Sequence, residues 1–306
     1  MTTISTIDLF SVSKKQSRDI LQDLEIKSLD VDGVSGDIIV TNITNYNGEK
    51  SGRIVIYPPS DGLQINSPIY ITEFAQTREF YSRSLYLPHD AKSDCFMGTI
   101  WVADTGNNRL IKFDKRTLQM LSVVENTIIY PYSIAVNLNT GGVFAMGFYN
   151  SVNNKVVMHF DSSGTLISSF LYYDFSFDNS SSSSTSSLDS ESSSTISSET
   201  SRTSYTSSSS SEGMSYFSSS KSICFDHVRN RAWWISKNII YMIDVSNSQI
   251  NSYNLEVDGF IDTYSIDVDR GCGNSLVVAK GKDGYKYLLQ IFRDNNRLLG
   301  ISYVNG

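Results

Sequence analysis

A pentapeptide recurs along this chain, and its recurrence constrains the fold more than any other feature. Its pattern is Ser, an aliphatic residue, any residue, an apolar residue, then Asp or Asn. Ser28-Leu29-Asp30-Val31-Asp32, Ser133-Ile134-Ala135-Val136-Asn137, Ser222-Ile223-Cys224-Phe225-Asp226 and Ser265-Ile266-Asp267-Val268-Asp269 all fit. Ser84-Leu85-Tyr86-Leu87 fits with Pro88 in the last place. Such alternation is that of a short strand with distinct faces. After each copy comes a second strand-like run: Ile38–Thr41, Ile100–Ala103, Val143–Met146, Ala232–Ile235 and Leu276–Ala279. A third follows at Arg53–Tyr57, Arg109–Phe113, Lys155–Phe160, Ile239–Ile243 and Tyr287–Phe292, and four of these lead into Asp114, Asp161, Asp244 and Asp294. Fourth runs are visible at Leu118–Val124, Thr165–Phe170, Ile250–Leu255 and Arg297–Tyr303.

Four strands per unit, repeated, predict an all-β fold, a β-propeller of four-stranded antiparallel blades. One such blade cannot bury both of its faces, whereas a ring of them stacks face on face. The gap from Ser133 to Ser222 is about two periods, and Asp174-Phe175-Ser176-Phe177-Asp178 inside it echoes the pentapeptide. Six blades are therefore expected. The alternative is five blades with a Ser/Thr-rich insertion at 179–220, whose composition is that of a flexible segment. The propeller is expected over 28–306. Residues 1–27 are read as an arm, a strand near Ile4–Ser11 and a short helix near Gln16–Leu24, available to a partner because Arg297–Tyr303 already completes the last blade.

The most distinctive stretch is Gly98–Asp114, where Thr99–Ala103 and Arg109–Phe113 flank Asp104-Thr105-Gly106-Asn107-Asn108. Asp, Gly and Asn tolerate positive φ and bond their own backbone, so this is a hairpin. Gly106 is expected at positive φ, Asp104 as the cap of the turn, and Arg109 bonded to nearby backbone, with Asn108 completing the motif. One face is expected to carry Ile100, Val102, Leu110 and Lys112, the other Thr99, Trp101, Ile111 and Phe113. The wording resembles an NHL-type repeat, in which a strand ending in Val-Ala-Asp, the Thr-Gly-Asn-Asn-Arg turn and a strand ending in Phe-Asp form the middle of a propeller blade. The resemblance implies architecture rather than activity.

Composition narrows the function classes. A net charge of −7 disfavours a phosphate-binding surface, so no nucleic-acid partner is expected. No run reaches the roughly 18 apolar residues of a membrane span. The N-terminus lacks a basic start and an apolar block, which points to the cytoplasm or to incorporation in a particle. Cys95, Cys224 and Cys272 are odd in number and far apart, fit neither a disulfide framework nor a metal motif, and are expected as small buried hydrophobes. Trp101 and the pair Trp233-Trp234 are expected between blades.

The resemblance also brings enzymes to mind, because NHL-like amidating lyases hold an axial metal with histidines from several blades. His89 and His227 each lie five residues past the Ser of their unit, in positions that look equivalent. In a six-bladed ring they stand on opposite sides, too far apart for Zn–N bonds of about 2.0–2.1 Å to one ion. His159 lies in a third strand, away from the axis, and is read as a surface or turn residue. Lactonase-like propellers bind calcium through oxygen ligands, and Asp30, Asp32, Asp267 and Asp269 sit in or beside inner strands. Asp at a strand end is more simply a turn-former. No metal, calcium or zinc, and no other cofactor is therefore expected, and no catalytic set is found. The reading is a non-catalytic structural or protein-interaction module of a larger assembly, such as a virion, a tail or another surface structure. Its partners would be other protein subunits, reached through the arm or the Ser/Thr-rich segment. The alternative is an NHL-like enzyme, lactonase or amidating-lyase in type, with an axial metal.

Overall fold

The computed structural model describes residues 24–46, 49–59, 69–71, 85–149, 151–172, 222–269, 271–294 and 297–303. The expected arm through residue 23, Asp174–Asp178 and the Ser/Thr-rich segment lie outside the described residues. Five four-stranded sheets are present, each a meander in strand order. The first is β1 (Leu24–Val31), β2 (Ile38–Tyr46), β3 (Glu49–Tyr57) and β4 (Ile69–Ile71). The second is β5 (Asp90–Asp94), β6 (Thr99–Asp104), β7 (Arg109–Asp114) and β8 (Met120–Glu125). The third is β9 (Ile129–Asn137), β10 (Gly142–Tyr149), β11 (Ser151–Phe160) and β12 (Leu166–Leu171). The fourth is β13 (Ile223–Asp226), β14 (Arg231–Ser236), β15 (Ile239–Asp244) and β16 (Gln249–Asn254). The fifth is β17 (Phe260–Val268), β18 (Ser275–Gly281), β19 (Lys286–Asp294) and β20 (Arg297–Tyr303). All neighbouring pairs run antiparallel. These are propeller blades, and the first strand of each lines a central cavity of about 460 Å³. Among the described residues no helix is long and apolar enough to cross a membrane.

Among the described residues the fold has five blades, not six. The third and fourth are direct neighbours, because the Ile223 N–H on β13 donates to Ser133 Oγ on β9 at 3.3 Å. The long interval between their pentapeptides therefore separates them in sequence without a blade between them in space. A second correction concerns the second blade, whose inner strand is Asp90–Asp94 rather than Ser84–Leu87. The reason is visible in the bonds between blades. Ser28 Oγ accepts from the Ala91 N–H at 3.3 Å, Asp90 Oδ2 from the Ile134 N–H at 2.9 Å, and Ser133 Oγ from the Ile223 N–H. In these three blades the first residue of the pentapeptide is thus an acceptor that ties its blade to the next, and Asp serves that purpose as well as Ser; in the fourth blade Ser222 Oγ instead donates to the Ile266 carbonyl at 3.4 Å. The last residue is also explained. Asp32, Asp94, Asn137, Asp226 and Asp269 each accept the backbone N–H two residues on, an Asx turn closing the inner strand.

Apolar layers fill the spaces between blades. Trp101, Ala103 and Leu110 pack against Ile134, Val143 and Met158 of the third blade, while Ile100, Val102, Ile111 and Phe113 pack against Ile39 and Ile54 of the first. The β6–β7 register pairs Trp101 with Lys112 and Ile100 with Phe113. Leu110 and Lys112 therefore share the Trp101 face, and Ile111 and Phe113 share that of Ile100, the reverse of the grouping expected. Trp101 Nε1 donates to the Gly141 carbonyl at 3.2 Å. Trp233 joins the layer shared with the fifth blade, and Trp234 stacks on Tyr241, so adjacent tryptophans serve opposite faces. Of the cysteines, Cys95 and Cys224 are half-buried and Cys272 is exposed, so none is the buried hydrophobe expected.

Candidate functional site

The third pentapeptide residue of each blade faces the central cavity: Asp30, Lys92, Ala135, Cys224 and Asp267 line it in turn. One side of the cavity is charged and the other is not. Lys92 Nζ stands 3.6 Å from Asp90 and 3.8 Å from Asp30. Burial pulls the Lys92 ammonium down, and Asp90, Asp30 and Asp267 more than reverse this, so it lies above its ordinary value. Burial lifts the Asp30 carboxyl above the usual range, although Lys92 and the Ser93 N–H pull it back. The cavity thus holds an ammonium pinned among carboxylates, a self-neutralising group.

At the end of the cavity where the inner strands close, neighbouring blades are bolted together by charge. Lys115 Nζ reaches across to Asp32 at 2.5 Å and Asp37 at 3.0 Å, and Ser93 Oγ donates to Asp32 at 2.7 Å. Burial would raise Asp32. Lys115, the N–H groups of Ser35 and Val34, and Ser93 overcome it and hold the carboxyl far below the ordinary range. Arg229 pairs with Asp226 at 3.2 Å and donates to the Gly271 carbonyl at 2.8 Å.

The seam between the fifth and first blades differs from the other four. The second and fourth pentapeptide residues point toward the preceding blade, and in blades two to five they are 0–8% exposed. Their counterparts in the first blade, Leu29 and Val31, are 51% and 55% exposed. On the other side of the seam, Val277, Ala279, Leu289 and Ile291 fill the layer shared with the fourth blade. The opposite face of those strands shows Leu288, 42% exposed, paired in register with half-buried Val278. Among the described residues an apolar strand face is therefore left uncovered, and nothing in the pentapeptide distinguishes it from the covered ones.

The residues singled out from sequence fall in several places. His89 precedes β5 and donates its N–H to the Ala103 carbonyl at 3.1 Å, whereas His227 follows β13 and lines the cavity. They flank inner strands at opposite ends, so the equivalence read from spacing does not hold. His159 is buried and stacks on Phe144, not on the surface. Among the described residues no group of three or more His, Cys, Asp or Glu is placed to hold a metal ion. Asp32 and Asp269 form turns, while Asp30 and Asp267 face the cavity. Asp104 and Arg109 are buried and paired at 2.7 Å. Asp104 also accepts from the Tyr86 N–H and Asn107 Nδ2, both at 2.8 Å, and makes no cap to the short 3₁₀ turn Thr105–Asn107. Gly106 is not in the left-handed region; Asn108 is, at φ 53°. Sequence reasoning missed Lys92 and Asp90. The signal was available, since Asp90-Ala91-Lys92-Ser93-Asp94 fits the pentapeptide once its first position admits any short acceptor.

No protein-family model matches the sequence, and no curated protein matches it. Among solved structures the chain is similar to the nidogen/laminin complex, at 12% identity and a TM-score of 0.53, over 90% of this chain and 79% of that one. At that identity the likeness concerns the fold, and with the five blades above it makes the chain a β-propeller.

Proposed function

We propose that this chain is a non-catalytic interaction module, an NHL-type propeller built into a larger protein assembly, with a partner polypeptide covering the seam between its fifth and first blades. The carrying observation is the exposure of Leu29 and Val31 at positions buried in every other blade. A contiguous apolar face of this kind marks a contact surface. The β6–β7 hairpin, with Asp104, Asn108 and Arg109 in place, supports the NHL-type reading. The charged side of the cavity is engaged in its own ion pairs, which suits a scaffold, and the arm and the Ser/Thr-rich segment supply further points of attachment. No cofactor is needed.

The test is the double substitution Leu29→Asp, Val31→Asp. If a partner covers the seam, the isolated protein keeps its unfolding free energy within about 0.5 kcal/mol, as surface changes do, and loses co-assembly. A loss of several kcal/mol in the isolated chain would mean that the chain covers its own seam. Stoichiometric zinc or calcium surviving dialysis would overturn the non-catalytic reading in favour of an axial-metal enzyme.

A further inference from the structure

A crevice of about 190 Å³ lies between the third and fourth blades, away from the seam and from the central cavity. Its walls are Phe144, Ile167 and Phe170 from the third blade and Ile243 and Val245 from the fourth. His159 lines it as well, on β11 directly across from Phe144 on β10. The imidazole is stacked on the Phe144 ring at 4.0 Å with an 8° tilt, and Phe144 lies at 5.3 Å from Phe225. This three-ring stack fixes the plane of the imidazole. His159 is 94% buried, since its exposure is 6%, yet its Nε2 has no hydrogen-bond partner among the described residues. A buried polar atom left in that state is destabilising until something meets it. Burial also lowers the pKa of the ring, against the pull of Asp161, so it is neutral at ordinary pH.

We infer that this crevice is a binding site for a phenol ring, with the phenolic oxygen on His159 Nε2. Size and chemistry agree. A dry apolar cavity of about 150 Å³ takes benzene, and the extra room here suits one hydroxyl. A single water would satisfy the nitrogen but leave the aromatic and aliphatic walls wet. A phenol satisfies both: its ring contacts Phe144, Phe170 and Ile243, and its hydroxyl meets either tautomer, donating to a bare Nε2 or accepting from a protonated one. Ser168 and Ser248 also line the crevice, so a hydroxyl is within the lining as a second partner for the oxygen. The ring can belong to a free small phenol or to a tyrosine side chain, and both present the same chemistry.

The experiment is a titration of the full chain, followed by the imidazole NMR signals of His159, with p-cresol, toluene and N-acetyltyrosinamide. Expected are saturable p-cresol binding that moves the His159 signals, toluene binding about tenfold weaker for want of one hydrogen bond, and loss of that preference in His159→Phe. Should His159→Phe fail to fold, the difference between p-cresol and toluene in the unaltered protein decides. Equal binding of the two, or saturation without movement of the His159 signals, overturns the inference, as does the absence of saturable p-cresol binding. Binding of N-acetyltyrosinamide with the same shifts assigns a peptide-borne ring. Its exclusion while p-cresol binds assigns a free phenol.

Discussion

Gly106 offers a sharp test of how the β6–β7 hairpin is held. Its backbone is not in the left-handed region, so the ordinary reason for a turn glycine is absent. The reason is contact. A Cβ there would lie 2.4 Å from Tyr86 Cδ1 and 2.6 Å from the Tyr86 carbonyl oxygen. The Tyr86 ring is 44% exposed and can swing away. The carbonyl cannot, because it accepts the Gly106 N–H at 2.9 Å, and the Tyr86 N–H donates to buried Asp104 at 2.8 Å. Bringing the oxygen to ordinary van der Waals distance stretches the first bond beyond use, about 1 kcal/mol, and loosens the charge-assisted second. Overpacking of this kind costs about 1–3 kcal/mol. The smaller entropy of the unfolded alanine chain returns about 0.4–1 kcal/mol. Gly106→Ala should therefore lose about 2 kcal/mol, read as a lower urea midpoint at unchanged slope, or a melting temperature lower by roughly 4–8 °C. Gly33→Ala is the control, since nothing lies within 4 Å of its added Cβ and its φ is ordinary. It should stay within about 0.5 kcal/mol of the parent. Combining Gly106→Ala with Tyr86→Ala should not restore stability, because the backbone oxygen decides the outcome. Rescue by that pair, or equal effects of Gly106→Ala and Gly33→Ala, would refute the reasoning.

Two further outcomes follow from the contacts between blades. Lys115→Met removes the main partner of Asp32 and should cost about 1–2 kcal/mol at pH 7. Because the folded-state pKa of Asp32 is depressed, that stabilisation is present above the ordinary carboxylate value of about 3.9 and fades as pH falls below it. Urea midpoints of the parent and the variant should therefore still differ at about pH 4 and draw together only as pH falls through the depressed folded-state value of Asp32; a gap already closed at about pH 4 would count against the pairing. Ser133→Ala leaves the buried Ile223 N–H without the acceptor that joins the third blade to the fourth. It should lower stability by about 1–2 kcal/mol, whereas Ser133→Thr, which keeps the oxygen, should recover most of the loss; equal losses in both variants would show that the hydroxyl is not the link.

The strands were legible because each carries its own alternation, and the Asx residues because an inner strand needs a turn-former at its end whatever lies beside it. What could not be read locally belongs to relations between blades. Asp90 was passed over because its equivalence to Ser28 and Ser133 rests on a shared acceptor role, not on residue type. Gly106 was assigned the wrong physical reason because the Tyr86 carbonyl approaches it from outside the hairpin. His159 looked like a surface residue because only the register with Phe144 and the packing of the fourth blade bury it. Leu29 and Val31 make the general point. They read like Ile134 and Val136, and the physics that makes each pair apolar is the same. Whether an apolar strand face is filled depends on the next blade around, and for the first blade that neighbour is the last one in the chain. The pentapeptide therefore supplies an apolar face to every blade, and the neighbouring blade decides which of those faces is core and which, at Leu29 and Val31, stays exposed.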